Sequence, residues 1–94
     1  MAISDKIIIT VSGTDKVGIV ASVASALTRL NVNIEDIKQT LMQGHFVMFM
    51  LCDISNANKA FKEIKSELQK EVESLGLEAW VQRKELFDAM HTVG

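Results

Sequence analysis

Proline is absent from the 94-residue chain, and cysteine and tryptophan occur once each. A chain without proline, and with 48% apolar residues, lacks the composition of a disordered or linker sequence. The lone Cys52 can form no intrachain disulfide and cannot supply the paired thiols of a metal-carrying loop. Aromatic residues are 5% of the chain, and the first strand-like segment has none, which excludes the stacking platform of an RNA-binding sheet. Ten basic residues against 12 acidic ones give a net charge of −2, so the positive field that draws nucleic acid or anionic membrane is missing. The longest apolar stretch, Phe46 to Cys52, is far shorter than the roughly 20 residues that span a bilayer. The opening Met1-Ala2-Ile3-Ser4-Asp5 has neither a basic region nor an apolar core leading to a cleavage site, and the sequence therefore predicts a cytoplasmic, soluble protein.

What is present fits one domain over residues 1–94. Lys6 to Ser12 is rich in β-branched residues and stops at Gly13, which predicts a strand with Ile7, Ile9 and Val11 on one face. After the turn Gly13-Thr14-Asp15-Lys16, apolar residues at Ile19, Val20, Val23, Ala24, Leu27 and Leu30 predict an amphipathic helix that Asn31 ends. Val32 to Met42 reads as a second strand whose phase slips at Glu35-Asp36, as a β-bulge would cause. Gln43-Gly44 then predicts a tight hairpin into a third strand, His45 to Ile54. Ser55-Asn56 offer capping side chains for a long helix carrying Ala57, Phe61, Ile64, Leu68, Val72 and Leu75, closed by Gly76. Leu77 to Arg83 alternates as a fourth strand, and Lys84 to His91 predicts a short terminal helix.

The order strand, helix, strand, strand, helix, strand is the α+β, ferredoxin-like βαββαβ sandwich. It implies a four-stranded antiparallel sheet with two helices on one face, plus the short C-terminal helix. Both faces of the third strand are apolar: Phe46, Met48, Met50 and Cys52 alternate with Val47, Phe49 and Leu51. Trp80 adds a large ring to the side the helices leave open. A second copy, the folded-back terminal helix, or both would cover that side.

For chemistry, the strand-to-helix turn Ser12 to Gly18 is the informative segment. Such a turn aims backbone N–H groups and the positive end of a helix dipole at an anion. Gly13 and Gly18 permit close approach of a ligand, and Asp15 could accept hydrogen bonds from an ammonium group. An amino acid has both groups. Equally, the glycines could relieve local strain and Asp15 could cap the helix. Asn31 and Asn33, at the start of the second strand, could reach toward this turn or serve the backbone at the helix end. His45 and His91 lie far apart with no metal-ligand spacing, Cys52 reads as an inert core thiol, and no catalytic arrangement or cofactor loop stands out. The expectation is a non-enzyme with no metal and no cofactor.

Asp15-Lys16-Val17-Gly18-Ile19-Val20, Leu30-Asn31-Val32-Asn33-Ile34 and Gly44-His45-Phe46-Val47-Met48 together resemble the ACT domain family of small-molecule-sensing modules. Val81 to His91 looks like the tail of the small stand-alone UPF0237 proteins of bacteria and archaea, and the likeness covers nearly the whole chain. The resemblance implies a regulatory module that binds a small molecule, an amino acid by class, as a homodimer and near the first turn. It implies Gly13, Thr14, Asp15, Gly18 and Asn33 as the ligand-binding residues, because Asp15 and Asn33 match polar positions of the serine-sensing members and Gly18 matches the turn glycine. Gly13 stands where those members have histidine and Asp15 where they have asparagine, so the ligand's identity does not transfer. A protein partner would receive any signal. The alternative function is a structural association module with no ligand.

Overall fold

The computed structural model describes residues 5–90. Alternating β-branched residues make Lys6–Thr14 strand β1, with Ile7, Ile9 and Val11 buried and their neighbours half-exposed. Helix α1 spans Ile19–Arg29 and turns Ile19, Val23, Ala26 and Leu27 inward. Asn31, at φ 58°, takes the left-handed conformation that stops it. Strands β2 (Asn33–Met42) and β3 (His45–Asp53) form a hairpin through Gln43 and Gly44, at φ 50° and 81°. Two positive φ values in a two-residue loop match the twist of the flanking strands. Helix α2 is Phe61–Glu73, β4 is Glu78–Arg83 and α3 is Lys84–Met90.

The sheet order is β2-β3-β1-β4, and every neighbouring pair is antiparallel. Helices α1 and α2 share one core with the inner side of the sheet: Ile7, Ile9, Val11, Met48, Met50 and Cys52 meet Val23, Leu27, Ile64 and Leu68, all essentially without solvent exposure. The α+β, ferredoxin-like architecture is thus the one the element order implies. The bulge falls where the pattern slips, between Ile34, opposite Cys52, and Asp36, opposite Leu51. The extra residue, Glu35, bonds the Lys6 ammonium, which also reaches Asp53 Oδ2 at 3.2 Å.

Several boundaries depart from the sequence reading: β2 starts at Asn33, β3 ends at Asp53 and α2 ends at Glu73, each one to three residues inside the expected limit, and three further boundaries also differ. Strand β1 continues through Gly13 to Thr14, because the β3 ladder extends to His45 and holds both residues in register. Helix α2 starts at Phe61 rather than beside Ser55-Asn56, and its N-cap is Ala60, with no side-chain cap. Bonds to backbone groups instead hold this stretch as a loop: Ser55 N donates to Asp53 Oδ1 at 2.8 Å, and Asn56 O accepts from Asn31 Nδ2 at 2.7 Å. Ala57 packs on the core from this loop, outside the helix. Strand β4 starts at Glu78, one residue after the buried Leu77. The terminal helix matches in type and position, while His91 lies outside the described residues.

On the open face, the Phe87 ring of α3 meets Phe49 edge-on, with centroids 6.5 Å apart. The terminal helix therefore covers part of this face, yet Phe49 is still 42% exposed and Trp80 48%. A second bare region lies on the helix side of β2. Ile37 and Leu41 are in register with the buried Met50 and Phe46, yet both are exposed because the helices stop short of this edge strand.

Candidate functional site

The turn between β1 and α1 is built from backbone. Gly13 sits inside β1 at φ 153°, and a Cβ there would stand 2.3 Å from Leu77 Cδ2, so any side chain would have to displace the buried Leu77 and strain the backbone. Thr14 ends the strand opposite His45 and is exposed. Asp15 N donates to Gly44 O at 3.0 Å, which ties the turn to the β2–β3 hairpin, and its carboxylate lies in solvent. Gly18 is the N-cap of α1 at φ 86°, no side chain caps the helix, and its first turn has no acidic residue. Asp15 is therefore not the helix cap, and the N–H groups at the positive end of α1 are left without a side-chain cap. Val17, fully exposed, projects from the same turn.

Ser12 Oγ and His45 Nε2 lie 3.0 Å apart on the open face beneath this turn. In the sequence His45 shows only that it lies far from His91, with no metal-ligand spacing. The pairing follows from the β1–β3 register, which brings together residues 33 positions apart and has no local signal.

Asn33 is not at the turn of its own chain. Strands β1 and β2 both run antiparallel to β3 and so run parallel to each other, which places the start of β2 at the opposite end from the finish of β1. Asn33 pairs with Asp53 and Thr14 with His45, eight residues of β3 apart, about 27 Å at the usual rise per strand residue. The expectation that Asn33 reaches the first turn is corrected to that extent. Asn33 instead lines a hollow of about 380 Å3 with Thr28, Asn31, Val32 and Asn56. Within that hollow Asn31 is structural, locking the helix end to Asn56, and Asn58 Nδ2 donates to Arg29 O at 2.9 Å alongside. Asn33 and Asn56 are exposed lining residues whose side chains make no hydrogen bond among the described residues.

The charged groups near Asn33 satisfy one another. Asp53 is held down at about 2, first by the Ser55 backbone N–H, then by the Ser55 hydroxyl and the Lys6 ammonium. Lys6 is shifted upward, chiefly by its hydrogen bond to Glu35. Cys52 is buried behind them, and burial pushes its thiol up to about 12. Among the described residues no three His, Cys, Asp or Glu side chains gather as metal ligands, and no helix is long and apolar enough to cross a membrane.

Comparison with known proteins adds four observations. A family model described as "ACT domain" matches residues 5–82. A UPF0237 protein of Listeria monocytogenes is 50% identical over 84 residues, covering 89% of this chain and 94% of that one. Among solved structures, an ACT domain protein from Streptococcus pneumoniae superposes with a TM-score of 0.78 at 34% identity, over 94% of this chain and 99% of that one. A putative glycine cleavage system transcriptional repressor superposes with a TM-score of 0.73 at 26% identity, over 83% of this chain and 44% of its own length.

Proposed function

This chain belongs to the ACT domain family and, within it, to the UPF0237 group, and from that premise we propose that it is a regulatory module binding a free amino acid between two copies of itself. The observation that carries the reading is the uncapped start of α1. Gly18 leaves the helix N–H groups to meet a carboxylate, and the solvated Asp15 carboxylate beside them suits an ammonium group. The likeness to a putative transcriptional repressor supports a regulatory role.

A second copy supplies what one chain lacks. Strand β2 is an edge strand ten residues long, and nine of those residues are exposed. An edge with Ile37, Leu41 and Met42 bare is a template for pairing. Antiparallel pairing of two β2 strands about a two-fold axis at Ile37 sets Asp36 of each copy opposite Lys38 of the other, a favourable cross-strand charge pair. The same register carries Asn33 of one copy to Leu41 of the other, at the Asp15 end of the sheet. The first turn and the distant Asn33 then form one composite site, repeated twice.

The test is thermal unfolding against the common amino acids. A ligand at 100 times its Kd stabilises by about 2.7 kcal/mol, several degrees for a domain of this size. A saturable shift that Asp15→Ala removes supports the reading, and no shift with any of them refutes it. The exposed β2 edge also favours a second reading, association without a ligand. That module would keep its dimer and its protein partner in the Asp15→Ala, Asn33→Ala double variant, with no amino-acid response in the parent.

A further inference from the structure

We propose that the groove along the free edge of β4 is a second ligand site, one that takes an organic carboxylate with an apolar body and no ammonium group. Strand β4 is the other edge of the sheet, and α2 runs beside it, leaving a hollow of about 390 Å3. That volume falls at the lower end of the roughly 300–1,000 Å3 of small-molecule pockets. Phe61, Lys65 and Gln69 follow one another at four-residue spacing and present one stripe of α2 to the groove. Trp80 and Leu86 form the opposite wall, and both are about half exposed. These apolar surfaces suit a flat or branched hydrocarbon body.

The charges set the rest of the ligand. Lys65 and Arg83 both line the groove and no acidic side chain does, in a chain whose net charge is −2. Neither cation is in an ion pair among the described residues. Asp5 and Glu85 line only the adjoining hollow, which shares Arg83 and Leu86. The Arg83 guanidinium lies over the Phe61 ring, 4.5 Å from its centroid. That stack fixes the plane of the fork and leaves its edge N–H groups for a carboxylate. A ligand ammonium would meet two cations and no anion, so the groove selects against amino acids and amines. It is thus distinct in place and in chemistry from the first-turn site, and its test stands apart from the amino-acid reading.

Trp80 is the sole tryptophan of the chain, so its fluorescence reports on this groove without a label. Hydrocinnamate, phenethylamine and L-phenylalanine share a ring and differ in carrying a carboxylate, an ammonium or both. Hydrocinnamate is expected to change the fluorescence saturably, phenethylamine to have no effect, and phenylalanine to bind at least about tenfold more weakly. Arg83→Gln and Lys65→Gln should each weaken hydrocinnamate about tenfold or more while unfolding at the parent temperature, and Asp15→Ala should leave it unchanged. Absence of a saturable response at millimolar hydrocinnamate, equal binding of the amine, or undiminished binding in both folded variants would overturn the proposal. So would binding of an extended acidic peptide along β4 with no response to the small carboxylate.

Discussion

Replacing Gly13 with alanine separates packing from ligand approach at the start of the candidate site. The added methyl would meet Leu77 Cδ2 at 2.3 Å and Leu77 Cα at 3.4 Å, at a backbone φ of +153°. Leu77 is 3% exposed and enclosed by the core, so its side chain has little room to yield. Overpacking of this kind costs about 1–3 kcal/mol, and the unfavourable backbone adds about 1 kcal/mol more. A total of about 2–4 kcal/mol lowers Tm by roughly 10–25 °C in a domain of this length. Gly18→Ala is the control: a Cβ there meets nothing within 4 Å, so only the conformational cost at φ +86°, about 1–2 kcal/mol, applies. Circular-dichroism melts of both variants, with Leu77→Ala added to each, would read the difference. The Leu77 change should partly rescue Gly13→Ala and only add to the damage in Gly18→Ala. If Leu77→Ala does not couple to Gly13→Ala, or couples as strongly to Gly18→Ala, the packing explanation for Gly13 is wrong.

Cys52, fully buried with its thiol pushed up to about 12, should resist a thiol-specific reagent in the folded protein and react promptly in denaturant; comparable rates in both conditions would contradict its placement. Asp53, lowered in the fold from 3.8 to about 2, binds its proton more weakly folded than unfolded. Its contribution to stability is therefore complete above about pH 4 and is lost as pH falls toward about 2. Urea titrations across that window should show a steeper loss for the parent than for Asp53→Asn. Phe87→Ala removes the ring set edge-on to Phe49 and should lower stability by about 1–3 kcal/mol, read by the same titration near neutral pH; an unchanged midpoint would mean that α3 does not hold the open face.

Much of the fold was legible because the sheet and both main helices rest on periodicity. The alternation Ile7, Ile9, Val11 and the run Ile19, Val23, Leu27 each identify an element and its buried face, and the phase slip at Glu35-Asp36 marks the bulge. Helix α2 was read too long because Ser55-Asn56 and Ala57 look like a cap and a first turn. Only the loop bonds to Asp53 and Asn31 show why the chain stays irregular to Ala60. At the site, the glycines and Asp15 were legible as a turn, while the role of each was not. Gly13 answers to Leu77, 64 residues away in sequence, and that distance is invisible to local pattern. Asn33 was misplaced for a topological reason: two parallel strands joined through a helix begin at the same end of the sheet, so the head of β2 cannot meet the tail of β1 in one chain.

That separation of Asp15 from Asn33 gives the most direct test of a site shared between two copies. Asp15→Ala and Asn33→Ala proteins would each be prepared, then unfolded together, refolded as a mixture, and titrated calorimetrically with whichever amino acid stabilises the parent. Each variant alone should bind none. A mixed dimer pairs an intact first turn from the Asn33→Ala copy with an intact Asn33 from the Asp15→Ala copy, so one of its two sites is restored. Because random pairing makes half of the dimers mixed, the mixture should recover about one quarter of the parent's sites at the parent's affinity. A mixture as inactive as its two components, or an Asn33→Ala protein that binds as well as the parent, would contradict the shared site.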